Sequence, residues 1–149
     1  MPKVRGCDLP DALLYDVDNH IWYQELPDGN VKLGMTAVAT AMAGQLVAYT
    51  PKKVGRSVDA GKSCATVESG KWVGPAKSAV AGTVAEVNET LAGKPALAND
   101  DPYGAGWLVV LKPANWGEVK ATLTPGAQVA PKYEAKMAAD GFAGCAPAC

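Results

Sequence analysis

The sequence of 149 residues has few of the groups on which many enzymes depend. It contains one histidine, His20, which leaves little room for a histidine-based metal centre or a catalytic triad. Its four cysteines are too few and too unevenly spaced for a disulfide scaffold. We therefore expect free thiols in a reducing compartment, no stabilisation by disulfides, and a protein unlike most hydrolases.

An excess of charge of one sign is also missing. The 14 basic and 15 acidic residues are mixed along the chain and give a net charge of −1. No basic stripe is available for nucleic acid and no polybasic run for anionic lipid. Residues 1–16 include no continuous apolar stretch, so they predict neither a secretory signal nor a transmembrane helix. We expect a cytoplasmic protein with no nucleic-acid or membrane partner.

Short extended segments separated by glycines predict a mainly β fold. Residues 21–26 and 31–35 flank the turn residues Asp28 and Gly29 and predict a β-hairpin. The sequence around Gly44 is echoed around Gly82, which favours a sandwich of two similar strand-turn-strand units. Further strands are predicted at residues 45–49, 63–68, 83–88 and 107–112.

Three short helices are predicted beside the strands. Residues 37–43 lie between Thr36, a suitable N-cap, and Gly44, a suitable stop. A second helix is expected from Asn115, with Glu118 completing a capping box, to about residue 123, and a third over residues 131–139. The remaining residues are small and without periodicity. We expect one domain over residues 1–140 and a flexible tail over 141–149.

Lys71 is the candidate for covalent chemistry. It follows a predicted strand at Ser69-Gly70-Lys71, before a second extended run, and is therefore expected at a hairpin tip. A solvated amine there is open to a modifying enzyme, and acylation removes its charge without disturbing a buried ion pair. Gly70 supplies the turn geometry and clearance for a ligase. Lys62 and Lys94 also follow glycines, so spacing alone leaves open an ordinary solvated lysine.

Five segments, in the order of that family, resemble the H protein of the glycine cleavage system. The resemblance spans about residues 15–123 and implies a lipoyl-domain barrel-sandwich hybrid of two small antiparallel sheets with short flanking helices. It also implies that Lys71 carries lipoate as an amide, with Glu68 and Ser69 matching the acidic and polar residues before the lysine. The segments are residues 20–22, 33–36, 67–71, 82–88 and 99–108.

The sequence departs from H proteins next to the lysine. Gly70 precedes Lys71 and Trp72 follows it, whereas H proteins usually have a bulkier residue before and small residues after. Residues 49–55 and 70–75 are more similar to the lipoate-binding proteins of bacterial sulfur oxidation. We therefore favour a shuttle for sulfur intermediates, with a lipoate-protein ligase, a heterodisulfide-reductase-like complex and dihydrolipoamide dehydrogenase as partners. The alternative is a glycine cleavage H protein that carries an aminomethyl group and has the P, T and L proteins as partners.

Both interpretations describe a cofactor carrier, not an enzyme. A dithiolane on a long tethered arm reaches a high effective concentration at each partner site, so the protein supplies reach and docking. We expect Trp72 to contact partners, His20 to have a structural role, and the carrier to be monomeric. No nucleophile-base pair or cofactor loop indicates an independent enzyme.

Two other interpretations remain open. Cys145 and Cys149, spaced Cys-x-x-x-Cys, could exchange disulfides with the lipoyl dithiol or form an unmodified thiol redox module. A biotin carrier has a related fold, but its lysine is typically flanked by methionines, where Gly70 and Trp72 stand here. Cys7 and Cys64 are expected to be passive thiols. The acidic run at residues 99–101 is expected to be a solvated turn.

Overall fold

A computed structural model of the protein describes residues 3–70, 72–142 and 144–145. Lys71 and Cys149 therefore lie outside the described residues. Within those ranges the strands form a seven-stranded sheet, a three-stranded sheet and a two-stranded ribbon, all antiparallel. The strands are β1 (Lys3–Val4), β2 (Cys7–Asp8), β3 (Leu14–Asp16), β4 (Ile21–Glu25), β5 (Val31–Met35), β6 (Leu46–Pro51), β7 (Ser57–Val58), β8 (Lys62–Ser69), β9 (Val73–Ser78), β10 (Gly82–Val87), β11 (Val109–Pro113) and β12 (Thr124–Pro125).

The large sheet has the order β12-β3-β4-β5-β11-β10-β7, and the small sheet has the order β6-β8-β9. Short helices lie beside the sheets. They are α1 (Ala37–Ala43), α2 (Glu89–Gly93), α3 (Leu97–Asp100), α4 (Trp116–Lys120) and α5 (Val129–Asp140), with a 3-10 turn at Gly126–Gln128 before α5. The prediction of a mainly β fold with two antiparallel sheets and short flanking helices is confirmed.

The hairpin predicted near the N-terminus is confirmed as β4 and β5. Ile21 pairs with Met35, and the register continues without a shift to Glu25 and Val31. Gly29 in the connecting turn has φ of 88°, a conformation that a glycine adopts without steric cost. The hairpin runs directly into α1, whose predicted N-cap is also present because the Thr36 hydroxyl accepts a hydrogen bond from the Ala39 N–H at 3.2 Å.

The other two helices differ in part from the prediction. α4 ends at Lys120, and the predicted capping box is wrong. The Asn115 side-chain oxygen accepts no capping bond from the backbone, and its amide N–H donates to the Glu118 carboxylate at 3.3 Å. α5 is longer than predicted and ends at Asp140, where Gly141 caps it in the left-handed conformation with φ of 67°.

Buried side chains form two clusters. The main core lies between the large and small sheets and includes Leu33 and Val109 from the former and Cys64 and Val67 from the latter. What we call the second core lies between the start of the chain, α1 and α5. Its buried members are Val4, Cys7, Leu9, Leu13, Tyr15, Trp22, Val38, Val129, Tyr133 and Met137.

The acidic run predicted as a solvated turn instead enters α3. The Asn99 side chain accepts a hydrogen bond from the Leu46 N–H and donates one to the Gly44 carbonyl, each at 2.8 Å. It therefore joins the end of α1 to the start of β6. Asp101 follows the helix and accepts from the Ala105 N–H at 2.9 Å. The prediction is wrong for Asn99, whose amide satisfies backbone groups far away in the sequence, whereas Asp100 and Asp101 are exposed.

Candidate functional site

The hairpin formed by β8 and β9 carries the predicted site. Glu68 pairs with Val73, and the Ser69 N–H donates to the Trp72 carbonyl at 2.7 Å. Gly70 and Lys71 are the two residues between that donor and acceptor in the sequence. The described residues thus include both sides of a tight connection, as the sequence predicted, while Lys71 itself lies outside them.

The residues around this connection differ in exposure. Glu68 and Gly70 are exposed, whereas Ser69 is buried and its hydroxyl lies 3.4 Å from the Trp72 carbonyl oxygen. A Cβ placed on Gly70 would meet no heavy atom within 4 Å. The space beside Gly70 is therefore open to a modifying enzyme and to a long acyl chain, which fits a covalently attached arm.

Trp72 leaves the hairpin as a large apolar side chain that remains 41% exposed. Its ring lies over Gly74, where a Cβ would come within 2.9 Å of ring atom Cε2. The adjacent Val73 is 60% exposed. Two exposed apolar side chains next to the connection provide contact surface for another molecule.

A cavity of about 460 Å³ opens beside Trp72. Its lining is mostly apolar and combines α1, the β4–β5 hairpin and the small sheet, so no single sequence segment predicts it. Such a cavity suits an aliphatic group better than a charged one. The lining includes Ile21, Met35, Met42, Val67, Trp72 and Pro75.

His20 lies at the polar edge of this cavity. Its Nδ1 is 3.2 Å from the Tyr133 hydroxyl, and the two rings stack with centroids 5.7 Å apart. Burial lowers the pKa of His20 from its usual value, and the positive charge of Lys136 lowers it further. The geometry agrees with the structural role expected for this histidine.

The cysteines differ from the expectation of free thiols. Cys7 and Cys145 form a disulfide with their Cα atoms 5.0 Å apart, so the expectation that no disulfide contributes to the fold is wrong. Within the predicted tail, the Cys145 N–H also donates to the Arg5 carbonyl at 3.0 Å. The predicted partner Cys149 lies outside the described residues. Cys64 is a buried free thiol, and burial raises its pKa to about 12, which makes it unreactive.

The described part of the chain contains no group of three or more His, Cys, Asp or Glu side chains placed to hold a metal ion. Among the same residues, no helix combines the length and apolar character needed to cross a membrane.

Comparisons with known proteins agree on one family. A family model described as "Glycine cleavage H-protein" matches residues 13–136. The chain is 56% identical over 127 residues to "Glycine cleavage system H protein 5" of Aquifex aeolicus, covering 83% of this chain and 85% of that protein. It is 43% identical over 132 residues to "Probable glycine cleavage system H protein 2" of Sulfurisphaera tokodaii, covering 87% and 88%.

A solved structure gives the same result. The crystal structure of a glycine cleavage system H protein from Mycobacterium marinum matches with a TM-score of 0.71 and 34% sequence identity, over 89% of this chain and 98% of that one. The names of these relatives support the glycine cleavage interpretation, which the sequence had placed second. They give no support to the role in sulfur oxidation.

Proposed function

The chain belongs to the glycine cleavage H-protein family, and on that premise we propose that it carries lipoate on Lys71 and an aminomethyl group as its cargo, with the P, T and L proteins of glycine cleavage as partners. Proteins of this family carry covalently attached lipoate and are components of a multienzyme system, not catalysts. The assignment to Lys71 and to this cargo is the part that we propose. The cytoplasmic location, the monomeric state and the ligase as partner stay predictions.

The observation that supports Lys71 most directly is the closure of its hairpin. The bond from the Ser69 N–H to the Trp72 carbonyl encloses two residues, and Gly70 beside Lys71 faces open space. An amine in such a connection is accessible to a lipoate-protein ligase. Lys62 and Lys94 also follow glycines, but Lys62 is within β8, paired with Ser78, and Lys94 follows α2.

The residues around Lys71 fit a long arm with an apolar end. A bound lipoyl group would supply a dithiol and disulfide couple that accepts two electrons and holds a cargo through sulfur. The chain supplies the exposed connection, the clearance at Gly70 and the apolar side chains of Trp72 and Val73 as contact surface. This arrangement supports a carrier whose partners perform the catalysis.

Sulfur oxidation stays the second candidate, with a heterodisulfide-reductase-like complex as partner and a sulfur intermediate as cargo. The exposure of Trp72 favours it, because this bulky side chain occupies a position where H proteins usually have a small residue. A partner that docks around the arm would have to accommodate the indole ring. The unmodified thiol module that used Cys145 with Cys149 is weakened, since Cys145 is paired with Cys7.

Attachment at Lys71 is tested by mass spectrometry after expression with lipoate and a lipoate-protein ligase. We expect one lipoyl group per chain, mapped to the peptide with Lys71, and none on Lys71→Arg. Lys62→Arg and Lys94→Arg are matched controls, because each removes a lysine that also follows a glycine. Modification mapped to either of those lysines, or to none, would contradict the assignment.

The two cargoes are separated by presenting the lipoylated chain to two enzymes. With glycine decarboxylase we expect glycine–bicarbonate exchange to depend on the lipoylated chain and to disappear with Lys71→Arg. Absence of exchange, together with lipoyl-dependent turnover by a heterodisulfide-reductase-like complex, would favour the sulfur candidate instead. The mapping of Lys71 is independent of this outcome.

A further inference from the structure

The two ends of the described chain are joined covalently. Cys7 in β2 pairs with Cys145 after α5, across a sequence separation of 138 residues. Both cysteines lie outside residues 13–136, the span that the family model matches. We propose that Cys7 and Cys145 form a second two-electron redox site, opened by dithiols, that latches the N-terminal arm, here residues 3–9, to the end of α5.

Apart from the disulfide, the chain ends are joined by weak polar contacts. The Arg5 guanidinium forms an ion pair with Glu134 at 3.0 Å and donates to the Phe142 carbonyl at 2.8 Å. The Cys145 N–H donates to the Arg5 carbonyl at 3.0 Å. Arg5 and Glu134 remain partly exposed, and exposed ion pairs contribute little to stability. The covalent bond is the restraint on this contact between the chain ends that a dithiol can remove.

The disulfide is placed for attack from one side. Cys7 is 1% exposed, whereas Cys145 is half-buried, and both residues line an open cavity of about 680 Å³. A dithiol that enters this cavity meets the Cys145 sulfur more readily than the Cys7 sulfur.

The exchange balances without a further reactant. The first thiolate of the dithiol bonds to the Cys145 sulfur, and Cys7 leaves as a thiolate that takes up a proton. The second thiolate then attacks the first sulfur of the same dithiol, releasing Cys145 as a thiol. The protein gains two electrons and two protons, and the dithiol becomes a disulfide.

Opening of the latch is limited by contacts further along the arm. The Tyr103 hydroxyl donates to the Asp8 carbonyl at 2.6 Å, and the Tyr15 hydroxyl donates to the Pro10 carbonyl at 2.7 Å. Neither bond involves the disulfide. Reduction is therefore expected to loosen the contact between residues 3–7 and Cys145 while the rest of the arm stays in place.

The latch also touches the helix that lines the cavity beside Trp72. The Cys145 sulfur lies 3.6 Å from the carbonyl oxygen of Ala37, the first residue of α1. On the same helix, Ala39 and Met42 line the cavity. Opening of the Cys7–Cys145 disulfide would therefore change a contact with α1, the helix that forms one wall of that cavity.

Disulfide mapping of the full chain tests the pairing. Trypsin leaves Cys145 and Cys149 on one peptide, because no lysine or arginine separates them, so fragmentation between the two cysteines is needed. We expect Cys7 linked to Cys145 in protein purified in air. A link from Cys7 to Cys149, or a free Cys7, would overturn the proposal.

Hydrogen exchange tests the latch, with the full lipoylated chain compared before and after treatment with dithiothreitol. On reduction we expect the Cys145 amide and residues 3–7 to exchange at least about tenfold faster, with a smaller increase in α1. The melting temperature is expected to fall by roughly 5–10 °C.

Two serine variants complete this test. Cys145→Ser should behave as the reduced protein in either condition, and Cys149→Ser should respond to dithiothreitol as the unaltered chain does. Equal exchange before and after reduction, or a Cys149→Ser protein that behaves like Cys145→Ser, would overturn the latch. Neither result bears on lipoylation of Lys71, which mass spectrometry of the same samples reports separately.

Discussion

The second core and the β8–β9 hairpin hold their tryptophans in opposite ways. Trp22 is fully buried in the second core, and its indole N–H donates to the Pro102 carbonyl at 2.9 Å. Trp72 at the hairpin is 41% exposed, with its ring over Gly74. Stability and partner contact are thus assigned to different tryptophans.

The largest effect is expected from Trp22→Ala. Loss of this side chain leaves a cavity beside Gly34, against whose backbone the indole ring packs, and removes the bond to Pro102. We expect the free energy of unfolding to fall by about 3–5 kcal/mol, measured by urea denaturation.

Trp72→Ala is the matched control for that substitution. Because Trp72 is partly exposed, we expect its loss to change the free energy of unfolding by no more than about 1 kcal/mol. Equal destabilisation by the two variants would break the contrast between the second core and the hairpin.

The next largest loss of stability is expected at Asn99, which joins the end of α1 to the start of β6. Asn99→Ala leaves the Leu46 N–H and the Gly44 carbonyl without their side-chain partner. Because these groups are partly buried, we expect a loss of about 1–3 kcal/mol in the free energy of unfolding, from denaturant titration. Asp100→Ala is the control, since Asp100 lies on the same helix but is exposed. A loss at Asp100 as large as at Asn99 would show that α3 matters through its helix and not through the amide.

The sequence predicted those elements whose turn or cap residues lie close together in the chain. The β4–β5 hairpin, α1 and the β8–β9 connection each have their turn or cap residues within a few positions, and the structure contains all three. β3 and β12 pair across more than a hundred residues and are too short to show a period. The hairpin around Lys71 was therefore predictable, as were its exposed neighbours.

The remainder of the site depends on distant contacts. The cavity beside Trp72 takes residues from β4, β5, α1, β8 and β9, and no local pattern records that they meet. The Cys7–Cys145 disulfide joins residues 138 positions apart, and the uneven spacing of the four cysteines gave no indication of this pair. Asn99 was misassigned for the same reason, since its partners belong to other elements.

A smaller change in stability is expected from protonation of His20, which lies where the second core meets the cavity beside Trp72. Burial lowers the pKa of His20 in the folded chain. Below the usual pKa of about 6.5, the unfolded chain therefore binds a proton more readily than the folded chain does. The free energy of unfolding should therefore fall as the pH decreases through about 6.5, until the lowered pKa is reached.

The pH test compares His20→Asn with the unaltered chain by denaturant titration between about pH 7.5 and 5.5. Asparagine tolerates the positive φ of 57° at this position and does not titrate. We expect the variant to lose most of the pH dependence in this range. An unchanged pH dependence would mean that groups other than His20 cause it.

The smallest effect on stability is expected at Gly74, which sets the position of the exposed tryptophan. A Cβ there would come within 2.9 Å of the Trp72 ring, so Gly74→Ala should displace the indole while changing the free energy of unfolding by less than about 1 kcal/mol. The measurement is a shift in tryptophan emission, and the same substitution in a Trp72→Phe chain should give none. A shift that persists without Trp72 would mean that the change reaches buried tryptophans, and the hairpin would then be coupled to the cores more closely than the exposure of its side chains indicates.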